Sequence, residues 1–246
     1  MVLAVIPARY ASTRFPGKPL AMIVGKSMIQ RVYEQVLAST QVQRTVVATD
    51  DERIRAHVAG FGGEVILTSV DHSNGTGRVA EAATHFPEAE IVVNVQGDEP
   101  FIDPASVDAL VTAFDDPLVD IATLAHPLSE ESALLSPNVV KVVRSVSGRA
   151  LYFSRHAVPF LRDHRVGTWI NEGAHLQHIG LYAYRAPVLQ GLAELPPHPL
   201  ERQESLEQLR WLAHDLNISV SLAGKPSRGI DTPADLLDVE EWLRNK

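Results

Sequence analysis

Cysteine is absent from all 246 residues. Its absence excludes disulfides, thiolate zinc sites, iron–sulfur clusters and cysteine nucleophiles together, and it points to a reducing compartment. No apolar stretch approaches the ~20 residues of a membrane-spanning helix. The apolar run at residues 1–6 is too short for a signal h-region and has no basic segment before it. Repeats, low-complexity tracts and linkers rich in Gly, Ser or Pro are also missing. With 45% hydrophobic and 21% charged residues the composition is that of a globular chain, not a disordered one. A net charge of −8 lacks the basic footprint of a nucleic-acid binder. The expectation is a soluble cytoplasmic protein with no nucleic-acid and no membrane partner.

One further shortage is local. No acid occurs before Glu34, whereas Arg9, Arg14, Lys18, Lys26 and Arg31 all precede it. A basic opening on an acidic chain suggests an anion site there; chance clustering is the alternative.

Strand and helix patterns alternate through the first hundred residues. Residues 2–6 form an apolar run that Pro7 should end. Residues 27–39 carry Met28, Ile29, Val32, Val36 and Leu37 at helical spacing, with Ser27 as N-cap. Residues 44–49 read as a strand, followed by a helix that begins near Asp50 and Asp51, faces Ile54 and Val58 inward and stops at Gly62-Gly63. A strand at 64–68, a helix at 77–85 and a strand at 90–95 follow. Apolar strands alternating with amphipathic helices predict an α/β fold, an open, doubly wound, mostly parallel sheet. Ligands of such sheets bind at the carboxyl ends of strands, here the loops at 7–19 and 96–100.

After Asp120 the rhythm changes to strands at 121–125, 139–146, 150–154 and 178–184, with loops at 171–177 and 195–199. Leu206, Leu209, Leu212, Ala213 and Leu216 place a core-facing stripe on a helix near 201–215, and residues 218–222 form a late strand. Thr232 and Pro233 mark a helix start. This half reads as a mixed-sheet insertion in one α/β domain.

Two apparent motifs fail. Gly75-Thr76-Gly77-Arg78-Val79-Ala80 spells a dinucleotide fingerprint but lies some seven residues after its strand, and Gly25-Lys26-Ser27 ends like a P-loop with Leu20 where the first glycine should stand. His175 and His178 have no acidic metal partner nearby and read as ordinary histidines.

Three segments carry chemistry. In residues 7–20, PARYASTRFPGKPL, three cations (Arg9, Arg14 and Lys18) surround Ser12 and Thr13, and Pro16-Gly17 imposes a turn. Guanidinium forks, an ammonium and turn amides together suit a triphosphate; a solvated basic loop is the alternative. In NVQGDEP, residues 94–100, Gly97 allows close backbone approach to a ligand and Asp98 offers a hard oxygen to Mg2+, or simply forms a turn. In GIDTP, residues 229–233, Asp231 is either a cap at the following helix or a second magnesium carboxylate facing Asp98.

These segments, with ALYFSR (150–155), HIGLYAYR (178–185), PLE (199–201) and LEQLR (206–210), resemble the 3-deoxy-D-manno-octulosonate cytidylyltransferases, or CMP-Kdo synthetases, from about residue 3 to 240. The sialic acid cytidylyltransferases, with a Gly-Gly-Ser-Lys type loop, and the methylerythritol phosphate cytidylyltransferases, with a Gly-rich loop, do not match Arg9-Tyr10-Ala11-Ser12-Thr13-Arg14. The resemblance implies a nucleotide-diphospho-sugar transferase-like fold and a Mg2+-dependent homodimer joining CTP to Kdo for lipopolysaccharide biosynthesis. In-line attack of the anomeric hydroxyl on the α-phosphate needs positioning and charge neutralisation, not a covalent intermediate.

By the same resemblance Arg9, Arg14 and Lys18 hold the phosphates, Asp98 and Asp231 hold magnesium, and Lys18, Asp98 and Asp231 are catalytic. Ala11, Ser12, Gly75, Thr76 and Arg78 frame the nucleotide; Gly77 stands where the family has an acid. Gln96, Arg155, His178, Tyr182, Glu207 and Gln208 are the sugar candidates. Arg155 suits the sugar carboxylate or forms a surface salt bridge, and Glu207 and Gln208 either reach the sugar or line an exposed helix face. His178 and Tyr182 share a strand face, either as a pocket or around a buried structural histidine. The implied division is 1–119 for nucleotide, 120–228 for sugar and dimerisation, and 229–246 as a closing segment. A CMP-sugar synthetase for a modified acceptor such as 8-amino-Kdo, a non-catalytic nucleotide sensor and a structural assembly subunit remain as alternatives.

Overall fold

In a computed structural model, which describes residues 1–11, 15–72, 74–173, 175–223 and 228–244, the opening apolar run forms β1 (Val2–Ala8). Leu3, Ala4, Val5 and Ile6 are wholly buried, which requires cover on both faces of the sheet. Pro7 does not end the strand, which stays in parallel register as far as Ala8 opposite Thr49. The reason lies in which side each residue faces. The Val2 carbonyl accepts on the side of β4 (Arg44–Thr49), and the Val5 carbonyl accepts from Val95 N–H on the side of β6 (Ile91–Asn94). Alternation turns Pro7 toward β6, and that pairing stops at Val5–Asn94. The missing N–H therefore falls where no ladder bond is needed.

Two compact units form, residues 1–108 with 227–246, and residues 109–226. The first continues from β1 through a small hairpin, β2 (Met22–Ile23) and β3 (Lys26–Ser27), into α1 (Met28–Leu37). The Ser27 hydroxyl caps α1 by accepting from Gln30 N–H, and Met28, Ile29, Val32, Tyr33 and Val36 are buried, each aliphatic side chain stabilising by ~1.5–3 kcal/mol. Leu37, expected in that stripe, is exposed. Asp51 caps α2 (Glu52–Gly60), which buries Ile54 and Val58. After β5 (Val65–Leu67), Asn74 caps α3 (Gly75–Ala83) through Gly77 N–H, so this helix starts two residues earlier than its apolar pattern suggests. The sheet order is β6-β1-β4-β5, parallel throughout.

The units meet in sequence within α4 (Pro104–Thr112), a helix the periodicity did not reveal. The second unit builds β7 (Ile121–Pro127), α5 (Glu131–Leu135), β8 (Lys141–Arg144), β9 (Ala150–Ser154), α6 (Trp169–Glu172), β10 (Leu176–Arg185), α7 (Ala186–Leu192), α8 (Pro199–Glu204), α9 (Gln208–Ala213) and β11 (Ile218–Leu222). Its sheet is mixed: β11 runs parallel to β7, and β10 runs antiparallel to β7 and β8, with β9 antiparallel to β8. The helix expected near 201–215 is two short ones, because Ser205 turns into the left-handed region at φ 51 between them. The stretch 171–177, expected as a loop, is partly taken by α6 and the start of β10.

The closing segment folds with the first unit. In α10 (Pro233–Arg244), Val239 joins Ile230, Ile23 and Met28 in one buried cluster, so the two ends of the sequence share a core. Among the described residues no helix is long and apolar enough to cross a membrane.

Candidate active site

In the first unit the chain leaves β1 toward β4 and β5 on one side and returns to its other side as β6. The carboxyl ends of β1 and β6 thus flank the switch point of the topology, where open α/β sheets bind ligands. A cavity of about 460 Å3 lies there, lined by Pro7, Ala8, Arg9, Ala11, Lys18, Pro19, Gln96, Gly97, Asp98 and Asp231.

Each charged lining residue is placed by a local device. Gly17 adopts φ 72 and its N–H donates to the Tyr10 carbonyl at 2.9 Å, closing the loop so that Lys18 begins a single 3-10 turn. The Tyr10 ring packs over Gly17 and beneath the Arg53 guanidinium, 3.3 Å from the ring centroid. Asp98 follows Gly97, where a Cβ would stand 3.0 Å from the Pro7 carbonyl oxygen. That glycine lets the backbone pass close to β1, and it also lines the cavity. Asp231 precedes a reciprocal cap. Thr232 Oγ1 accepts from Asp235 N–H, while the Asp235 carboxylate accepts from the N–H groups of Asp231 and Thr232 at 2.9 and 2.8 Å. These bonds hold the Asp235 carboxyl below its ordinary pKa, with Lys18 adding to the effect. The segment is tied down by buried Ile230, whose N–H donates to the Asp98 carbonyl at 3.0 Å.

Among the described residues the result is an ionic cluster of Lys18, Asp98 and Asp231. Lys18 Nζ lies 2.7 Å from Asp98 Oδ2 and 3.3 Å from Asp231 Oδ1, so those two oxygens are separated by no more than the sum of the two contacts. Of the five early cations, Lys26 pairs with Glu34, Arg31 bonds the carbonyls of Ile23 and Val24, and Arg9 and Lys18 line the cavity; Arg14 lies outside the described residues, as does Ser12. The described lining therefore holds two cations and two carboxylates, which cancel. Two hard carboxylates on a neutral lining fit a magnesium ion, which takes one or two such ligands together with substrate phosphates. A divalent ion would turn this lining into one that attracts a polyphosphate.

The remaining nucleotide candidates divide. Gly75 abuts Pro7, where a Cβ would stand 3.7 Å from its ring, and Thr76 is buried beside it in the first turn of α3. Arg78 does not line the cavity. It is 1% exposed, and its guanidinium donates to Asp50 Oδ2 at 2.6 Å and Thr68 Oγ1 at 2.5 Å. Its described partners make it a brace between the ends of β4 and β5, a role the sequence did not suggest. Gln96, expected among the sugar residues, lines the same cavity as Lys18. Pro7, Ala8 and Pro19 line it as well, with no chemical signal in the sequence to mark them.

The other sugar candidates belong to the second unit. The His178 and Tyr182 rings lie 5.4 Å apart across a β-bulge, and Tyr182 meets Trp211 of α9 edge-on. Thr123 Oγ1 lies 2.9 Å from the Leu181 carbonyl, to which its one proton is donated, and so accepts from His178 Nε2–H at 3.0 Å. Desolvation pushes the His178 pKa down to about 3, and burial raises the Tyr182 phenol well above its usual value. Glu207 pairs with Arg210 at 3.0 Å, and Gln208 is buried, so neither simply lines an exposed helix face.

Among the described residues Arg155 forms no salt bridge. Its guanidinium donates to the carbonyls of Glu204, Pro137 and Ser205, and its backbone N–H to the Glu204 carboxylate. Beside it, wholly buried Lys141 donates to the carbonyls of Ser136, Val139 and Arg155. Desolvation, foremost, holds the Lys141 pKa below its ordinary value. The sequence reading missed this residue, because a lysine in a strand pattern carries no sign of burial.

Comparison with known proteins gives concordant results. A family model described as cytidylyltransferase matches residues 3–218. The 3-deoxy-manno-octulosonate cytidylyltransferases of Bacteroides thetaiotaomicron and Syntrophotalea carbinolica are 49% and 50% identical to this chain, each alignment covering 99% of the chain and 98% of the relative. A solved structure of CMP:2-keto-3-deoxy-manno-octonic acid synthetase complexed with CTP superposes with a TM-score of 0.92 at 43% identity, over 99% of this chain and 98% of that one.

Proposed function

The chain belongs to the 3-deoxy-manno-octulosonate cytidylyltransferases of the cytidylyltransferase family, and from that premise we propose that it joins CTP to Kdo, giving CMP-Kdo and pyrophosphate. The anomeric oxygen of the sugar forms a bond to the α-phosphorus, the bond from that phosphorus to the β-phosphate bridging oxygen breaks, and the hydroxyl proton is released. The observation that carries this reading is the convergence of Lys18, Asp98 and Asp231 in a cavity at the sheet's switch point.

Arg9 and Lys18 bind and orient the phosphates, the guanidinium as a fork and the ammonium as a point charge. Both can follow the negative charge that moves onto the leaving pyrophosphate. Asp98 and Asp231 would hold a magnesium ion, which supplies neutralisation of phosphate charge when bound. Gln96 offers an amide to the hydroxyls of the incoming sugar. Positioning by these groups is the main source of acceleration, as expected for transfer between two bound small molecules.

A reaction fed by CTP places the enzyme in the cytoplasm, and its product serves lipopolysaccharide assembly. A homodimer formed through the second unit completes the reading, supported by its exposed Val146, Leu151, Phe160 and Leu222; light scattering at the monomer mass would remove that element. The central test is pyrophosphate release from each of four nucleoside triphosphates with Kdo and Mg2+, with rapid detection of the sugar nucleotide. CTP-selective release with CMP-Kdo formation is expected. Tight CTP binding without release would make the chain a sensor, and turnover confined to 8-amino-Kdo would make it a synthetase for the modified sugar.

A further inference from the structure

Lys18 has been assigned to phosphate, yet its ammonium sits against both carboxylates assigned to the cation. We propose that Lys18 is the resident counter-ion of the Asp98–Asp231 pair, closing it to free divalent cations until nucleotide phosphates draw the ammonium away. The inference rests on the reading of those two aspartates as cation ligands.

Exposure shows which group is confined. The Lys18 side chain is 15% exposed against 31% for Asp98 and 52% for Asp231, so lysine is the most enclosed member of the cluster, with its ammonium against both carboxylates. Asp235 also acts electrostatically on Lys18, although its carboxylate is committed to the N–H groups of Asp231 and Thr232. The backbone at Lys18 is fixed, its N–H donating to the Phe15 carbonyl and its carbonyl accepting from Ala21 N–H, with Pro19 buried next to it. What can move is the four-carbon stem.

A dication entering alone would displace the ammonium from a 2.7 Å contact and leave it without its anionic partners beside a like charge. A dication arriving with a triphosphate brings the anion that receives the ammonium. Cation and nucleotide then bind with positive coupling, and linkage makes that coupling equal in both directions.

The test is titration of wild type and Lys18→Met with Mn2+, read by water-proton relaxation, with and without the α,β-methylene analogue of CTP. Thermal melts accompany each variant, and Lys18→Gln replaces Lys18→Met if the latter does not fold. Lys18→Met should bind free Mn2+ about tenfold more tightly than wild type, a difference of about 1.4 kcal/mol, and should lose most of the tightening that the analogue confers on wild type. Free Mn2+ binding that is unchanged or weaker in the variant overturns the proposal. Adding Asp98→Asn to Lys18→Met separates the two levels. If the double variant still binds Mn2+ as tightly, the carboxylates are not the ligands and the functional reading fails as well; if its binding is lost but Lys18→Met alone gained nothing, only the counter-ion role fails.

Discussion

Asp235 lies outside the cavity lining but positions one of its two carboxylates, and Asp235→Ala tests that link. The substitution removes the acceptor of two N–H groups, those of Asp231 and Thr232, together with the acid in the first turn of α10. Loss of a cap of this kind costs ~0.5–2 kcal/mol, and loss of an acid at a helix N-terminus ~0.3–1 kcal/mol at a solvated site. At about 2–4 °C per kcal/mol for a chain of this size, the melting temperature should fall by about 2–12 °C. Buried Ile230 still anchors the segment, so the fold should survive while the Asp231 backbone loosens. A displacement near 1 Å at a reacting centre costs ~100-fold in rate, so kcat/KM for pyrophosphate release should fall ~10–100-fold.

The pH dependence has a defined sign. The folded Asp235 carboxyl has a pKa below its ordinary 3.8, so its contribution is complete above that value and is lost as pH falls through the folded value. Wild type should therefore lose its stability advantage over Asp235→Ala below about pH 4. Scanning calorimetry between pH 3 and 7, paired with kinetics at neutral pH, checks both parts. A lowered melting temperature with kcat/KM unchanged would refute the claim that this cap positions Asp231 for the reaction.

Gly97→Ala puts a methyl 3.0 Å from the Pro7 carbonyl oxygen and should destabilise by ~1–3 kcal/mol while slowing turnover; an unchanged melt removes the close-approach argument. Arg78→Met leaves the Asp50 carboxylate without its buried guanidinium and should cost ~3 kcal/mol in denaturant unfolding, a loss well under 1 kcal/mol being incompatible with a brace. Arg155→Ala breaks three bonds to carbonyls and should lower the melting temperature, whereas a raised Kdo KM at unchanged melting temperature would return the guanidinium to the sugar. His178, with its pKa pushed down to about 3, should stay neutral in NMR titrations between pH 8 and 5. The unfolded chain takes up that proton near pH 6.5, so this histidine's contribution to stability declines as pH falls from about 6.5 toward 3. An imidazolium signal near pH 6.5 in the folded protein would contradict that environment.

Much of the first unit was legible because its signals are local. Ser27 before Met28 and Ile29, Asp51 before Ile54 and Val58, and Thr232 before Pro233 each sit within one turn of the helix they start, where a side chain reaches backbone a few residues away. β4, β9 and β11 have the bounds that the apolar and turn patterns indicated. The readings failed where a distant contact overrode a local pattern. The break at Ser205, where Arg155 is held on the Glu204 and Ser205 carbonyls, divides a stretch near 201–215 that reads as one helix, Pro7 stays in a strand because it faces the vacated side, and Arg78 is drawn inward by Asp50 and Thr68.

Residue order alone thus determined the alternation of strands and helices, the parallel opening sheet with a mixed continuation, and the three segments with groups suited to phosphate and a hard cation. Tertiary structure alone decided which of those groups meet. Asp98 and Asp231 stand 80 and 213 positions from Lys18, and their approach depends on Ile230 packing with Ile23, Met28 and Val239 and on one bond from its N–H to the Asp98 carbonyl. Periodicity and capping act over a few residues and can be read along the chain. The pairing of charges follows from burial between remote segments, which local order does not encode.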